Sequence, residues 1–316
     1  MRADRSASSA SSAPRPPAAQ TLRLQIVPPG PGGVHDFAAA LRSEWARQGC
    51  QSELLALERA AARTRSLAER LVMLSSSAQQ PCSVLLHFSG YGYDKRGLCT
   101  WLLHALRDAQ QRLGPRLRIV TLFHELSASS PPWQSAFWLG PLQARIARQL
   151  AALSAAVATN TAQHAQWLRA QARVPAAVQW PVHVRPVFSN FPPPPQRPAI
   201  AARKPALIVF GSAATRARAL RRLAAHTATL QSLGIEGLTE VGPGAQSVQP
   251  SHPWPQQHLG TLLPADVSRQ LLLHRYALID YPAPCLAKSS VFAAYAAHGC
   301  AEIGRASCRE RVCSTV

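Results

Sequence analysis

Residues 83–97 read SVLLHFSGYGYDKRG. Ser83 to Phe88 is a near-continuous apolar run, and an unalternated run of that length is what a parallel strand buried on both faces requires. The loop behind it, Ser89 to Gly97, is punctuated by glycine and leads into a helix ending near Leu113. The same succession recurs on both sides. A strand at 22–27 is followed by the Gly/Pro loop 28–33 and a helix at 34–48, with Phe37, Leu41 and Trp45 on one face and Gly49 as its stop. A strand at 52–57 precedes a helix through Leu67, Leu71 and Leu74. A strand at 118–123 ends in His124 and Glu125, then come a helix at 135–153, a strand at 155–159 and a helix capped by Asn160 and Thr161. Alternating strands and helices predict a doubly wound parallel sheet.

The proline run within 186–205 cannot sit in a helix or a central strand, so it reads as a linker. The alternation then restarts: strand 206–210, turn Gly211–Ser212, helix 216–230, strand 238–241, helix 264–274, strand 276–281 and helix 289–298, stopped by Gly299. The expected architecture is α/β with two tandem Rossmann-like domains. Residues 1–20 form a leader without secondary structure, 21–185 the first domain, 186–205 the linker, 206–301 part of a second domain and 302–316 a tail. Another apolar strand should follow Gly299, but the charged, cysteine-containing end does not supply one. The tail therefore reads as non-native and the second domain as incomplete, so the chain as given is expected to be inactive.

The chain carries a formal net charge of +19, almost all of it arginine: Lys95, Lys204 and Lys288 are the only lysines. The arginines are spread singly among alanines and leucines and do not gather in one stripe, which argues against nucleic acid as a partner. An anionic membrane surface or an anionic ligand accounts for the charge at least as well. No apolar run is long enough to span a bilayer, and the N-terminus has no secretory h-region, so a cytoplasmic protein is expected. Seven cysteines without a C-x-x-C pair predict incidental thiols and no structural zinc.

Three places carry chemistry. The helix start at Gly32, Gly33, His35 and Asp36 offers free backbone N–H groups suited to a sugar or an anion, although a plain strand-to-helix turn would look the same. Its glycines do not complete a dinucleotide fingerprint. The loop after Phe88 sets Tyr91, Tyr93 and Asp94 beside Lys95 and Arg96 at a strand end, where open α/β sheets bind ligands. His124 and Glu125 end the next strand, facing the same cleft, where a histidine can orient or polarise a sugar hydroxyl. Residues 132–150 combine Trp133, Phe137, Trp138 and Leu142 with Arg145 and Arg148. That pattern suits either a core helix with solvated arginines or a peripheral contact with anionic lipid.

The stretches HFSGYGYDKRG, TLFHELSASSPPWQSAFWLGPLQ and ATNTAQHAQWL, with VFGSAATR, HLGTLLPADVSRQLL and DYPAPCLAKSSVFAAYAAHG in the second half, resemble bacterial GT-B glycosyltransferases of the retaining glycosyl-group-1 kind. The resemblance spans most of residues 21–300. It implies an acceptor site in the first domain and a nucleotide-sugar site in the second, with Gly211, Arg216 and Lys288 on the donor diphosphate. The family's two glutamates spaced eight apart are absent, Leu286 and Ala294 standing there, and Ser289 and Ser290 are available to phosphate instead. The implied reaction moves a sugar from a nucleoside diphosphate sugar to an envelope or exopolysaccharide acceptor, carbohydrate or lipid-linked. His124 and Glu125 are the catalytic candidates, and no metal or other cofactor is expected. Cations and a helix N-terminus suffice in principle to stabilise a departing diphosphate. A non-catalytic sugar- or nucleotide-binding protein of this fold, and a nicotinamide oxidoreductase, remain open.

Overall fold

The computed structural model describes residues 21–30, 32–57, 63–78, 81–127, 132–133, 135–172, 181–191, 194–221, 223, 226–244 and 253–304. The expected leader (1–20) and most of the expected tail (305–316) lie outside the described residues.

The first domain is built on a six-stranded parallel sheet in the order β2-β1-β3-β4-β5-β6. Its strands are β1 (Leu22–Val27), β2 (Glu53–Ala56), β3 (Cys82–Phe88), β4 (Leu117–Phe123), β5 (Ala156–Thr159) and β6 (Val182–Val184). The connecting helices are α1 (Gly33–Arg47), α2 (Arg63–Ala78), the single turn α3 (Gly90–Tyr93), α4 (Thr100–Leu113), α5 (Ser135–Leu153) and α6 (Ala162–Ala172). The central pair β3 and β4 run in register from Cys82 beside Leu117 to Phe88 beside Phe123, which aligns their carboxyl ends. Ile26, Val84, Leu86, Leu102 and Leu106 are buried in the core between this sheet and its helices. Each such side chain stabilises the fold by about 1.5–3 kcal/mol.

The second domain holds a five-stranded parallel sheet in the order β11-β10-β7-β8-β9. It comprises β7 (Lys204–Phe210), β8 (Gly237–Val241), β9 (Gln256–His258), β10 (His274–Ile279) and β11 (Ala301–Gly304), with α7 (Ala213–Leu220), α8 (Thr227–Ser232), α9 (Pro264–Leu273) and α10 (Ser290–His298). The linker crosses between the domains, where Val187 N–H donates to the Ala287 carbonyl at 2.8 Å.

Four features depart from the expected layout. The helix expected over 216–230 is two helices, α7 and α8, the first capped by Ser212, whose Oγ accepts from Thr215 N–H at 3.3 Å. The strands β6 (Val-His-Val) and β9 (Gln-Gln-His) are only three residues long, too short for a hydrophobic run to announce them. Residues 302–304, expected in a non-native tail, pair in parallel with β10, and Ile303 packs on the core below. A turn of helix, α3, occupies the loop after β3.

Candidate functional site at the carboxyl ends of the strands

His124 leaves β4 as a buried side chain, and Glu125 next to it is exposed. Ser89, at the end of β3, donates its Oγ–H to Glu125 Oε2 at 2.9 Å, which ties the two strand ends together. Behind His124 lies a chain of polar groups in the apolar interior. His124 Nε2 is 3.2 Å from His87 Nδ1, His87 Nε2 is 2.9 Å from Gln25 Oε1, and Gln25 Nε2 donates to Ser52 Oγ at 3.0 Å. Gln25 Oε1 can only accept, so His87 carries its proton on Nε2 and accepts the His124 Nε2–H on Nδ1. Phe37 of α1 sets its ring edge-on against both imidazoles and lies 4.3 Å from the Phe188 ring.

This burial keeps both imidazoles neutral. His87 is pushed down to about 3 by burial and by His124, and His124 to about 4 by burial and by the Lys288 ammonium. His164, near the start of α6 and 3.3 Å from Thr159 Oγ1, is lowered by burial and by Lys288, with Glu125 opposing. Lys288 of the second domain thus faces His124 and His164 of the first. It makes no hydrogen bond or ion pair to a described residue. Tyr281, after β10, is raised chiefly by burial and by Cys285, and it also feels the Glu125 charge across the cleft. Arg218 stands over the Tyr281 ring at 5.7 Å and donates from Nε to the Asp280 carbonyl at 3.1 Å.

The Lys288 charge thus reaches His124 and His164, and the Glu125 charge reaches His164 and Tyr281. Ser289 is the N-cap of α10, its Oγ accepting from Phe292 N–H at 3.1 Å, with Ser290 as the first residue of that helix. The Ser289 hydroxyl proton remains available to an anion. Gly211 turns the chain at φ 131° beside Val291, so α7 and α10 begin next to each other.

Arg216 is a correction. It is fully buried, and its guanidinium is committed inward: Nε donates to Glu240 Oε2 at 3.1 Å, and Nη1 to the carbonyls of Gly211 at 2.8 Å and Pro243 at 3.0 Å. Gln256 Nε2 also donates to Glu240. Arg216 braces two glycine turns from beneath, and a side chain on Gly242 (φ 143°) would collide with it and with the Gly211 carbonyl. The cation that reaches the cleft is Arg218, with its side chain 45% exposed.

On the first-domain side, Gly32 and Gly33 are exposed at the start of α1, His35 is half-buried and Asp36 is exposed in the first turn. Nothing crowds a Cβ at either glycine, so space does not require glycine there. Tyr91 is exposed, and its hydroxyl oxygen accepts from Gln143 Nε2 at 3.1 Å. Tyr93 is a second correction: it is buried, and its hydroxyl lies 2.9 Å from the His87 carbonyl and 3.2 Å from that of Ile26. Asp94 is a third. Its Oδ1 accepts from Arg96 N–H at 2.8 Å and Leu98 N–H at 3.4 Å, which folds the loop back on itself.

His87, Gln25, His164, Arg218 and Tyr281 join the site without having been expected there. His87 was in plain view as the one polar aromatic inside an apolar strand, and a buried imidazole has to find a partner. A cavity of about 680 Å³ opens at the opposite end of the second sheet, where Lys204, Glu236, Gln256 and His274 line the strand starts. None of the expected site residues lines it. Among the described residues no three His, Cys, Asp or Glu side chains converge as metal ligands. The described cysteines are all free thiols.

No protein-family model matches the sequence, and no curated protein does. Solved structures do. An alpha-glucosyltransferase in complex with UDP superimposes with a TM-score of 0.56 at 9% identity over 90% of this chain and 80% of that one. The alpha-glucosyltransferase in complex with UDP-glucose and DNA containing an abasic site gives 0.55 at 10% identity, over 90% and 79%. An E. coli protein described as trehalose-6-phosphate bound with UDP-2-fluoro glucose gives 0.54 at 12% identity, over 87% and 81%. The class this defines is a fold: the chain has the two-Rossmann-domain GT-B architecture of glycosyltransferases, as the sequence resemblance implied.

Proposed function

We propose that this chain transfers a sugar from a nucleoside diphosphate sugar to a carbohydrate acceptor. The observation that carries the reading is the reach of the Lys288 charge to His124 and His164 across the cleft, above the adjacent N-termini of α7 and α10. In that arrangement Lys288 and the free N–H groups of α10, with the Ser289 and Ser290 hydroxyls, hold the diphosphate and stabilise the charge that develops as it leaves. Arg218 supplies the second cation. This division of charge calls for no metal ion or other cofactor. His124 is neutral, with its Nε2–H donated to His87, so it acts as an acceptor for a sugar hydroxyl and not as an acid. Glu125 is the carboxylate available to orient or deprotonate an acceptor hydroxyl. The acceptor side is the start of α1, at Gly32, Gly33, His35 and Asp36, together with Tyr91. UDP in the solved structures of similar fold supports the donor class. We further read the acceptor as an envelope or exopolysaccharide glycan, free or lipid-linked, met at the cytoplasmic face of a membrane.

The test is Lys288→Ala. Calorimetry with UDP should show weakened binding, and turnover of the nucleotide sugar should fall by about 10²-fold, the scale of one lost electrostatic stabiliser. Undiminished UDP affinity and turnover would remove Lys288 from the site. Tight NAD(P) binding with none for UDP would replace the reading by an oxidoreductase.

A further inference from the structure

The structure decides what faces α5 presents. Gln143, Ile146, Ala147, Leu150 and Ala151 are buried against the first domain. Trp133 is 83% exposed, Trp138 70%, Leu142 50% and Phe137 42%. Large side chains that are apolar over most of their surface, concentrated within ten residues, are not explained by random surface composition. They are also held in place. Trp138 Nε1 donates to the Pro132 carbonyl at 3.0 Å, and the Phe137 and Trp138 rings pack edge to face at 5.4 Å. An indole fixed in an exposed position has already lost the freedom it would lose on binding.

The surroundings are cationic. Arg145 and Arg148 are exposed further along α5. Gln143 binds the carbonyl of Arg96 at 2.8 Å, which places the exposed Lys95 and Arg96 of the neighbouring loop beside α5. From residue 126 to residue 235 the sequence contains no Asp or Glu and twelve Arg or Lys. Apolar anchors beside exposed cations are complementary to a bilayer with anionic headgroups, where indole rings settle at the interface and arginines meet phosphate. Nucleic acid would use the cations but leave two tryptophans and a leucine in water.

We propose that Trp133, Phe137, Trp138, Leu142, Arg145 and Arg148, with Lys95 and Arg96, dock this protein on an anionic lipid bilayer. The surface adjoins the loop that carries Tyr91, so a lipid-linked acceptor anchored in that bilayer would present its glycan to the β3–β4 end of the cleft. The docking itself does not depend on the glycosyltransferase reading; only the choice of acceptor rests on it.

The test uses the full chain with vesicles of equal parts phosphatidylglycerol and phosphatidylcholine at low salt, with pure phosphatidylcholine vesicles as control. Sedimentation with the anionic vesicles and a blue shift of tryptophan emission are expected, with little binding to the neutral ones. Trp133→Ser with Trp138→Ser should weaken binding by about tenfold or more, since interfacial burial of each ring is lost. Arg145→Gln and Arg148→Gln should each weaken it by roughly fivefold. All four side chains are exposed, and unchanged UDP binding by the variants shows that the fold and donor site are intact. Failure to bind anionic vesicles overturns the proposal, as does binding that survives the tryptophan changes. Concentration-dependent self-association that the tryptophan changes abolish would assign the face to a second copy. DNA binding that competes with the vesicles and ignores the tryptophans would assign it to nucleic acid. Loss of UDP binding in the parent chain would sink the donor reading and leave the docking result standing.

Discussion

Replacing Arg216 by methionine distinguishes a brace from a ligand. Methionine keeps much of the length of the stem and removes the fork. Glu240, itself wholly buried, then loses the guanidinium and keeps the bond from Gln256, and the Gly211 and Pro243 carbonyls lose the Nη1 donor. Breaking a buried ion pair by removing one partner costs about 3–5 kcal/mol. The bond from Gln256 places this case near the lower end, about 3 kcal/mol. For a domain of about 100 residues each kcal/mol moves the thermal midpoint by about 4–8 °C, so a fall of roughly 12–24 °C is expected. The double variant Arg216→Met with Glu240→Leu should recover about half of that or more, because it removes the stranded charge as well. Calorimetric unfolding and UDP titration below the transition are the assays. UDP affinity of the folded protein should stay within about twofold of the parent, since the guanidinium points away from the cleft. A variant with an unchanged midpoint and lost UDP binding would refute the reasoning and return Arg216 to the phosphate.

Acid should destabilise the fold through its buried imidazoles, which outnumber the one carboxylate among the described residues acting the other way, Glu302, raised by burial to about 7. His87 and His124 are held near 3 and 4 against an ordinary 6.5, and His164, His274 and His298 are lowered in the same direction by burial. The unfolded chain therefore binds more protons than the folded one below about pH 6.5. The stability present above that value is lost progressively as pH falls through the folded values. Urea midpoints should drop between pH 6.5 and 5, and a flat profile there would contradict the buried neutral imidazoles. Tyr93→Phe removes a hydroxyl bonded to backbone inside the core and should cost about 1–2 kcal/mol in urea unfolding without changing UDP affinity. A loss of acceptor use with full stability would restore Tyr93 to the binding surface.

The strands at the centre of each sheet were legible because burial on both faces leaves an apolar run that nothing else explains: 83–88, 118–123 and 206–210 are all β-strands at nearly those bounds. Edge strands do not carry that signature. Val182–Val184 and Gln256–His258 join their sheets through backbone pairing, and a three-residue segment with a polar middle leaves no periodicity to detect. The helix at 135–153 kept its expected bounds although Pro141 sits inside it and removes one ladder bond. Packing of Ile146, Ala147, Leu150 and Ala151 supports the turns that follow. The place of His124 and Glu125 at a strand's carboxyl end was foreseeable because parallel strands put those ends on one edge of their sheet. The polar chain behind His124 was not, since Gln25, Ser52 and His87 belong to three separate elements.

The corrections at Arg216 and Tyr93 share one cause, and it explains why composition and position alone do not assign a ligand. Each side chain has a similar neighbour two residues away: Arg218 beyond Arg216, and Tyr91 before Tyr93. In a helix two residues are about 200° apart, so one member of such a pair faces the core when the other faces out. The segment 213–220 is helix α7, which turns Arg216 under the sheet and Arg218 toward Asp280 and Tyr281. The segment 90–93 is helical as well, where a loop had been expected. That turn buries Tyr93 and leaves Tyr91 on the surface beside Gln143. Its phase is set by Gly92, where a Cβ would come within 2.8 Å of the Pro28 side chain. In both places the helical phase decides which copy is buried and which is exposed. Lys288 has no such twin: Leu286 and Ser290 stand two residues to either side of it.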